Sequence, residues 1–184
     1  MSRALSVRIL LLVIGTAMSP GAFSQPTTDN ASSNITNAQW ADYRKQYPVS
    51  PLCASDEITL WTCEGHKKIY SLCSSREVTA TTGYIQYRAG NRQKVAFQFP
   101  AQKRQPKGTF EYESSITGDA MVTFKNGDYT YGLYDPLRDA SYIVVSRGTG
   151  IEKGMQISCD NPNQSLQLNY TIKMMRAAGI DQSP

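Results

Sequence analysis

The chain has 184 residues, with 19 Lys+Arg, 15 Asp+Glu, a single His and four Cys. That length builds one ordinary domain with its own core and excludes a multi-domain machine. Hydrophobic content of 40% and charged content of 18% exclude a wholly disordered chain, and one His excludes a multi-His metal site.

Residues 1–24 read as a secretory signal peptide. Arg3 and Arg8 form a basic start, Ile9 to Ile14 an apolar run, and Ala22-Phe23-Ser24 a small-residue cleavage site before Gln25. The apolar run is far short of the ~20 residues that a membrane span needs. Without Arg3 and Arg8, 17 bases face 15 acids, a near-neutral balance that argues against nucleic acid as a partner. The mature chain is therefore expected to be periplasmic or secreted and not membrane-spanning. Residues 25–34 form a flexible polar leader, and residues 35–180 a single disulfide-linked β domain.

A short helix opens that domain. Thr36 and Gln39 make a capping box bracketed by Ile35 and Trp40, and Pro48 stops the helix. From Ile58 to Cys159 the apolar period is two, predicting strands at 57–63, 67–74, 83–89, 93–99, 108–114, 119–125, 128–134, 141–147 and 154–159. The first hairpin turns at Glu64-Gly65-His66-Lys67, which sets Cys63 against Lys68 and Cys73 against Ile58. Asn126-Gly127 reads as a type I′ turn that sets Phe124 against Tyr129, Val122 against Tyr131 and Lys125 against Asp128. Near Gly90-Asn91 a loop of odd length is expected, because it places Ile85 and Tyr87 beside Val95, Phe97 and Phe99 on one face. Leu168, Ile172 and Met175 recur at four and three, predicting a C-terminal helix capped by Gly179. The fold class is expected to be mainly β: an antiparallel meander forming a small barrel or sandwich, with a short N-terminal and a C-terminal helix.

Cys53, Cys63, Cys73 and Cys159 all follow the export segment, which predicts two disulfides. Three pairings exist. The hairpin puts Cys63 and Cys73 on opposite faces, disfavouring their union. Of the two pairings that remain, Cys53–Cys73 with Cys63–Cys159 is preferred. No C-x2-C knuckle supports a metal site.

No nucleophile, metal or phosphate-cradling motif is present, and His66 sits in a predicted turn with no orienting partner. Glu111 and Glu113 share a strand face and read as solvated. The chain is expected to be non-enzymatic, with no cofactor. From Arg88 to Lys107 there are six bases and no acid, and from Glu111 to Asp139 six acids against two bases. Such polarity steers charged partners. The candidate basic patch is Arg92, Lys94, Lys103, Arg104 and Lys107. Tyr84, Gln86 and Arg88 alternate with the core positions Ile85, Tyr87 and Ala89, and are expected to stand exposed as partner-binding anchors.

The stretch Cys63-Glu-Gly-His-Lys-Lys-Ile-Tyr-Ser-Leu-Cys73, followed by Gly83-Tyr-Ile-Gln-Tyr-Arg-Ala-Gly90, resembles a group of small exported proteobacterial proteins rich in β structure, mostly uncharacterised. Ala89 stands where that group carries an aromatic. More distantly, an exported Cys-linked meander is similar to periplasmic lysozyme-inhibitor and immunity-protein barrels. The resemblance implies a periplasmic β-rich protein. Export, a disulfide-stapled scaffold, the lack of a catalytic constellation and the Tyr/Arg-bearing strand lead to the expectation of a periplasmic binding protein that inhibits or neutralises a cell-wall-active enzyme or toxin, with a protein target in the cell envelope. The alternative expectation is an envelope structural or assembly factor that binds anionic glycan, such as peptidoglycan or lipopolysaccharide, through the basic hairpin.

Overall fold

A computed structural model describes residues 49–115, 118–136, 138–148 and 150–160, together with Leu168, Thr171, Ile172, Met175, Arg176, Gly179 and Ile180. The export segment at 1–24, the leader at 25–34 and the N-terminal helix lie outside the described residues. Nine strands follow in order: β1 (Glu57–Gly65), β2 (Lys68–Ser75), β3 (Ile85–Asn91), β4 (Lys94–Phe99), β5 (Glu111–Ser114), β6 (Ala120–Asn126), β7 (Tyr129–Asp135), β8 (Tyr142–Arg147) and β9 (Met155–Ser158). They form two antiparallel meanders, β1-β2-β3-β4 and β5-β6-β7-β8-β9. Two sheets thus share one core, and among the described residues no closed barrel forms.

The nine predicted strands each overlap an observed one, but the registers differ in instructive ways. The β1–β2 turn is the pair His66-Lys67, with φ of 54° and 63°, so Cys63 opposes Tyr70 rather than Lys68. Two non-glycine residues take the left-handed values that a tight hairpin turn requires. Gly65 is spent elsewhere: a Cβ there would collide with the Ser158 carbonyl, because β1 runs against the end of β9. The Asp160 amide donates to the Glu64 carbonyl at 2.6 Å along that seam.

The same displacement by two recurs at β6–β7. Asn126 pairs with Tyr129, so the turn is Gly127-Asp128, with Gly127 at φ 59° in the first central position as in a type II′ turn. Phe124 therefore opposes Tyr131, Val122 opposes Leu133 and Lys125 opposes Thr130. A slip of two residues keeps every side chain on its face, so the face assignments survive. At β3–β4 the turn is an even one, Arg92-Gln93, and the expected odd loop is replaced by a bulge. Gly90 pairs with Val95 and Ala89 with Phe97, leaving Ala96 as the extra residue. The bulge brings Tyr87 opposite Phe99, which is the alignment that the apolar residues demand. A second bulge at Leu60 lets Leu60 and Trp61, consecutive in sequence, both reach full burial.

Leu72, Ile85 and Tyr87 of the first sheet meet Val122, Phe124, Leu133 and Ile143 of the second in one buried cluster. Phe124 is its hub, with ring centroids 5.0 Å from Tyr87, 4.5 Å from Phe99 and 4.7 Å from Tyr131. The C-terminal helix is not supported as an element, since most of 161–178 lies outside the described residues. The apolar recurrence instead reports burial: Leu168, Ile172 and Met175 all lie in the core. Buried Asp135 receives the Leu168 amide at 3.0 Å, and Thr171 donates to the Leu60 carbonyl at 2.9 Å. Both disulfides form in the expected pairing, Cys53–Cys73 and Cys63–Cys159, the second tying β1 to the residue after β9.

Gly65, at the end of β1, and Gly127, in the β6–β7 turn, differ in kind, which sets an expectation. Gly65→Ala should cost about 3 kcal/mol, because backbone on both sides must move apart. Gly127→Ala meets open space and should lose only about 1 kcal/mol from its left-handed backbone. Urea unfolding of the oxidised variants checks the difference; equal losses would show that β1 and β9 are not held together as described.

Candidate functional site

Glu57 opens β1, and Arg88 lies in the middle of β3, on the face of the first sheet that looks away from the core. Contrary to the expectation of exposed anchors, Arg88 is 7% exposed and Gln86 2%, and Tyr84 is partly buried. The alternation along β3 correctly separates Ile85 and Tyr87 from Gln86 and Arg88, but the outer face is itself covered. Segment 49–56 crosses it, pinned by Cys53–Cys73 and by Ser50, whose hydroxyl is 2.5 Å from that of Ser71. From the other side, the Pro100 carbonyl accepts the Gln86 amide at 2.9 Å.

Under this cover Arg88 clamps Glu57 in a two-pronged bond, with Nη1 donating to Oε2 at 2.6 Å and Nη2 to Oε1 at 2.7 Å. Such planar pairing is the strongest form of ion pair. Tyr84 donates its hydroxyl to Glu57 Oε1 at 2.6 Å, and the Ala54 amide donates to Oε2 at 2.7 Å. Four bonds fill the roughly four acceptor positions of a carboxylate. Arg88 is similarly spent, on the Leu52 carbonyl at 2.8 Å and on Gln86 Oε1 at 2.8 Å. Lys103 closes the rim: its Nζ donates to the Tyr84 hydroxyl at 2.8 Å and lies 4.2 Å from the centre of that ring. Burial by itself would raise the Glu57 pKa. The hydrogen bonds from Arg88, Tyr84 and Ala54 and the Arg88 charge outweigh it, and hold the carboxyl at about 2. This constellation ties four chain segments together and has little capacity left for a ligand. Cys53, Glu57 and Cys73 also cluster closely enough to suggest a metal, but both sulfurs are committed to the disulfide and Glu57 to Arg88.

The remaining basic residues separate. Arg92 is exposed and pairs with exposed Glu64 at 2.8 Å, a contact worth at most about 1 kcal/mol. Lys94 is exposed on β4. Arg104 and Lys107 stand on the 100–110 connection, where the chain leaves the first sheet for the second. Beside them is a cleft of about 270 Å³, lined by Phe99, Phe110 and Phe124 and by Arg104, Glu111 and Lys125. A wider hollow lined by Arg104, Gln105, Lys107 and Gly108 continues it. The Arg104 guanidinium lies 5.9 Å from the Phe99 ring centre. Lys125 is the member that the sequence reading misses, because the expected register neutralises it with Asp128. In the structure Asp128 lies 3.7 Å from Arg147 instead. His66 is exposed at the tip of the β1–β2 turn, and Glu111 and Glu113 are exposed on β5, Glu111 accepting the Thr123 hydroxyl at 3.2 Å.

The Glu57 pKa predicts acid sensitivity. A carboxyl at about 2 in the folded chain, against 4.5 ordinarily, contributes about 3 kcal/mol of stability. Because the folded value is the lower one, that contribution is complete above pH 4.5 and is lost as pH falls toward 2. Urea unfolding from pH 6 to pH 2 should show this loss, and Glu57→Gln should flatten its part of the curve. A Glu57→Gln curve that runs parallel to wild type would contradict the assignment.

Set against protein-family models, curated protein sequences and solved structures, the chain matches none at a significant level.

Proposed function

We propose that the chain is a non-enzymatic binding protein of the cell envelope, periplasmic or secreted, that holds a carboxylate- or phosphate-bearing glycan in the Arg104 cleft. The observation that carries the reading is the composition of that cleft. Arg104 and Lys125 line it beside one acid, Glu111, with Arg104 against the Phe99 ring, and Lys107 lines the hollow that continues it. Guanidinium binds an anionic oxygen pair through parallel donors, and the two ammonium groups add point charges. An aromatic face accepts the apolar side of a sugar ring. Two disulfides suit an oxidising compartment, and among the described residues no helix is long and apolar enough to cross a membrane. One ground of the inhibitor or immunity reading was Tyr84, Gln86 and Arg88 as exposed anchors, and those side chains are engaged by Glu57, Pro100 and Leu52. The geometry favours the glycan.

Charge-assisted bonds contribute about 1.5–3 kcal/mol each, so losing one should weaken binding roughly tenfold or more. Co-sedimentation with purified peptidoglycan, and capture by immobilised lipopolysaccharide, should show saturable binding to at least one that fades as salt rises. Arg104→Ala and Lys107→Ala should each bind about tenfold more weakly, while Arg92→Ala, already paired with Glu64, stays near wild type. No binding to either polymer, or equal binding by the Arg104 and Arg92 variants, sinks the reading.

A further inference from the structure

The acidic half of the sequence also gathers on one surface. On the outer face of the second sheet, Glu113 of β5 pairs with Met121 of β6, Met121 with Tyr134 of β7, and Tyr134 with Tyr142 of β8. Strand spacing places Glu113 roughly 10 Å from Tyr134 in this row. The two tyrosine rings stack at 4.6 Å with an 8° interplanar angle, and both are only partly buried. Tyr134 leans over Gly132, where an added Cβ would stand 2.7 Å from the ring, so the glycine makes room for the aromatic. Ile151 packs against the same glycine and brings the 3-10 turn Ile151–Lys153, with exposed Glu152, to the edge of the pair. Asp119, just before β6, and Asp139, just before β8, are exposed at the same end. All four acids act on the pair. Burial first, then Tyr142, Glu152 and Glu113 push the Tyr134 hydroxyl upward, and burial first, then Asp139 and Asp119 do so for Tyr142. Exposed Arg138 and Lys153 lie in the same loops, and exposed Arg176 donates to the Ser114 hydroxyl beside Glu113, leaving four acids against three bases.

We propose that the stacked Tyr134–Tyr142 pair with its carboxylate rim is a docking surface for a basic segment of another protein, which lays an arginine side chain on the tyrosines. The aromatic faces attract a guanidinium, and the surrounding carboxylates add both charge complementarity and hydrogen-bond acceptors. Interface hot spots are enriched in Tyr and Arg for these reasons. The surface shares no lining residue with the glycan cleft, although it adjoins it on β5 and β6, where Glu113 and Met121 stand two residues, roughly 7 Å, from Glu111 and Thr123. It therefore stands or falls independently of the glycan reading.

The test is a titration of the disulfide-bonded protein with the peptide Gly-Arg-Gly-Arg-Gly, blocked at both ends, followed through the aromatic NMR signals of labelled tyrosine. The Tyr134 and Tyr142 signals should move saturably, and the matching Glu peptide should leave them still. Glu113→Gln combined with Glu152→Gln keeps the tyrosine pair and should weaken the Arg peptide at least fivefold. Asp128→Asn, an exposed acid in the β6–β7 turn, should bind as wild type. The proposal is overturned if the two tyrosines do not respond, if the double variant binds as well as wild type, or if the Asp128 variant weakens equally. It is also overturned if neutral maltohexaose moves the same tyrosines at lower concentration than the Arg peptide.

Discussion

Glu57 and Arg88 hold each other beneath the 49–56 segment, and the architecture of the first sheet depends on that embrace. Its core face would fold like any half-buried sheet, but its outer face carries Thr62, Ser71, Gln86 and Arg88, all buried. Polar groups in that position are stable only when paired. The pair solves this by recruiting cover: Leu52 and Ala54 from the preceding segment, Tyr84 from the approach to β3, and Lys103 from the connection to the second sheet. The Glu57 side chain is left 1% exposed. Deleting one partner of such a pair strands the other charge, typically at 3–5 kcal/mol, even where an apolar replacement of both is tolerated.

The nine strands were legible because alternation reports a sheet face directly. The disulfide pairing was legible for the same reason: Cys63 and Cys73 lie on opposite faces, and a two-residue error in register does not change a face. The turns were not legible. Glycine was taken as the turn residue at Gly65, where close approach to Ser158 is the actual demand, while His66 and Lys67 adopt the left-handed backbone. The candidate site failed for a different reason. Alternation shows that Gln86 and Arg88 leave the core, but not that another segment crosses over them. That cover comes from residues more than thirty positions earlier, joined through the Cys53–Cys73 bridge. The Arg104 cleft was half visible as a basic run. Lys125 escaped because it lies in the acidic half, and the expected register paired it with Asp128, whereas in the structure it opposes Thr130.

The polarity of charge along the chain acquires a spatial meaning. The basic connection 100–110 and the end of β6 at Lys125 border the cleft, whereas the other end of β6 borders the tyrosine pair and its acids. β6, paired along its length with β7, holds the two ends at a separation set by the strand itself. On the readings above, one end holds an anionic polymer and the other a basic protein segment, so rigidity of the sheet becomes a property of the function as well as of the fold.

The central claim is that Glu57 and Arg88 serve the fold as one unit. A double-mutant cycle with Glu57→Gln, Arg88→Met and the combined variant, read by urea unfolding at pH 7, measures it most directly. The account predicts that the single changes cost about 3 kcal/mol each and that the combined variant recovers at least about 2 kcal/mol of their sum. Losses that simply add, within about 0.5 kcal/mol, would contradict it and return Arg88 to the surface as a candidate for binding.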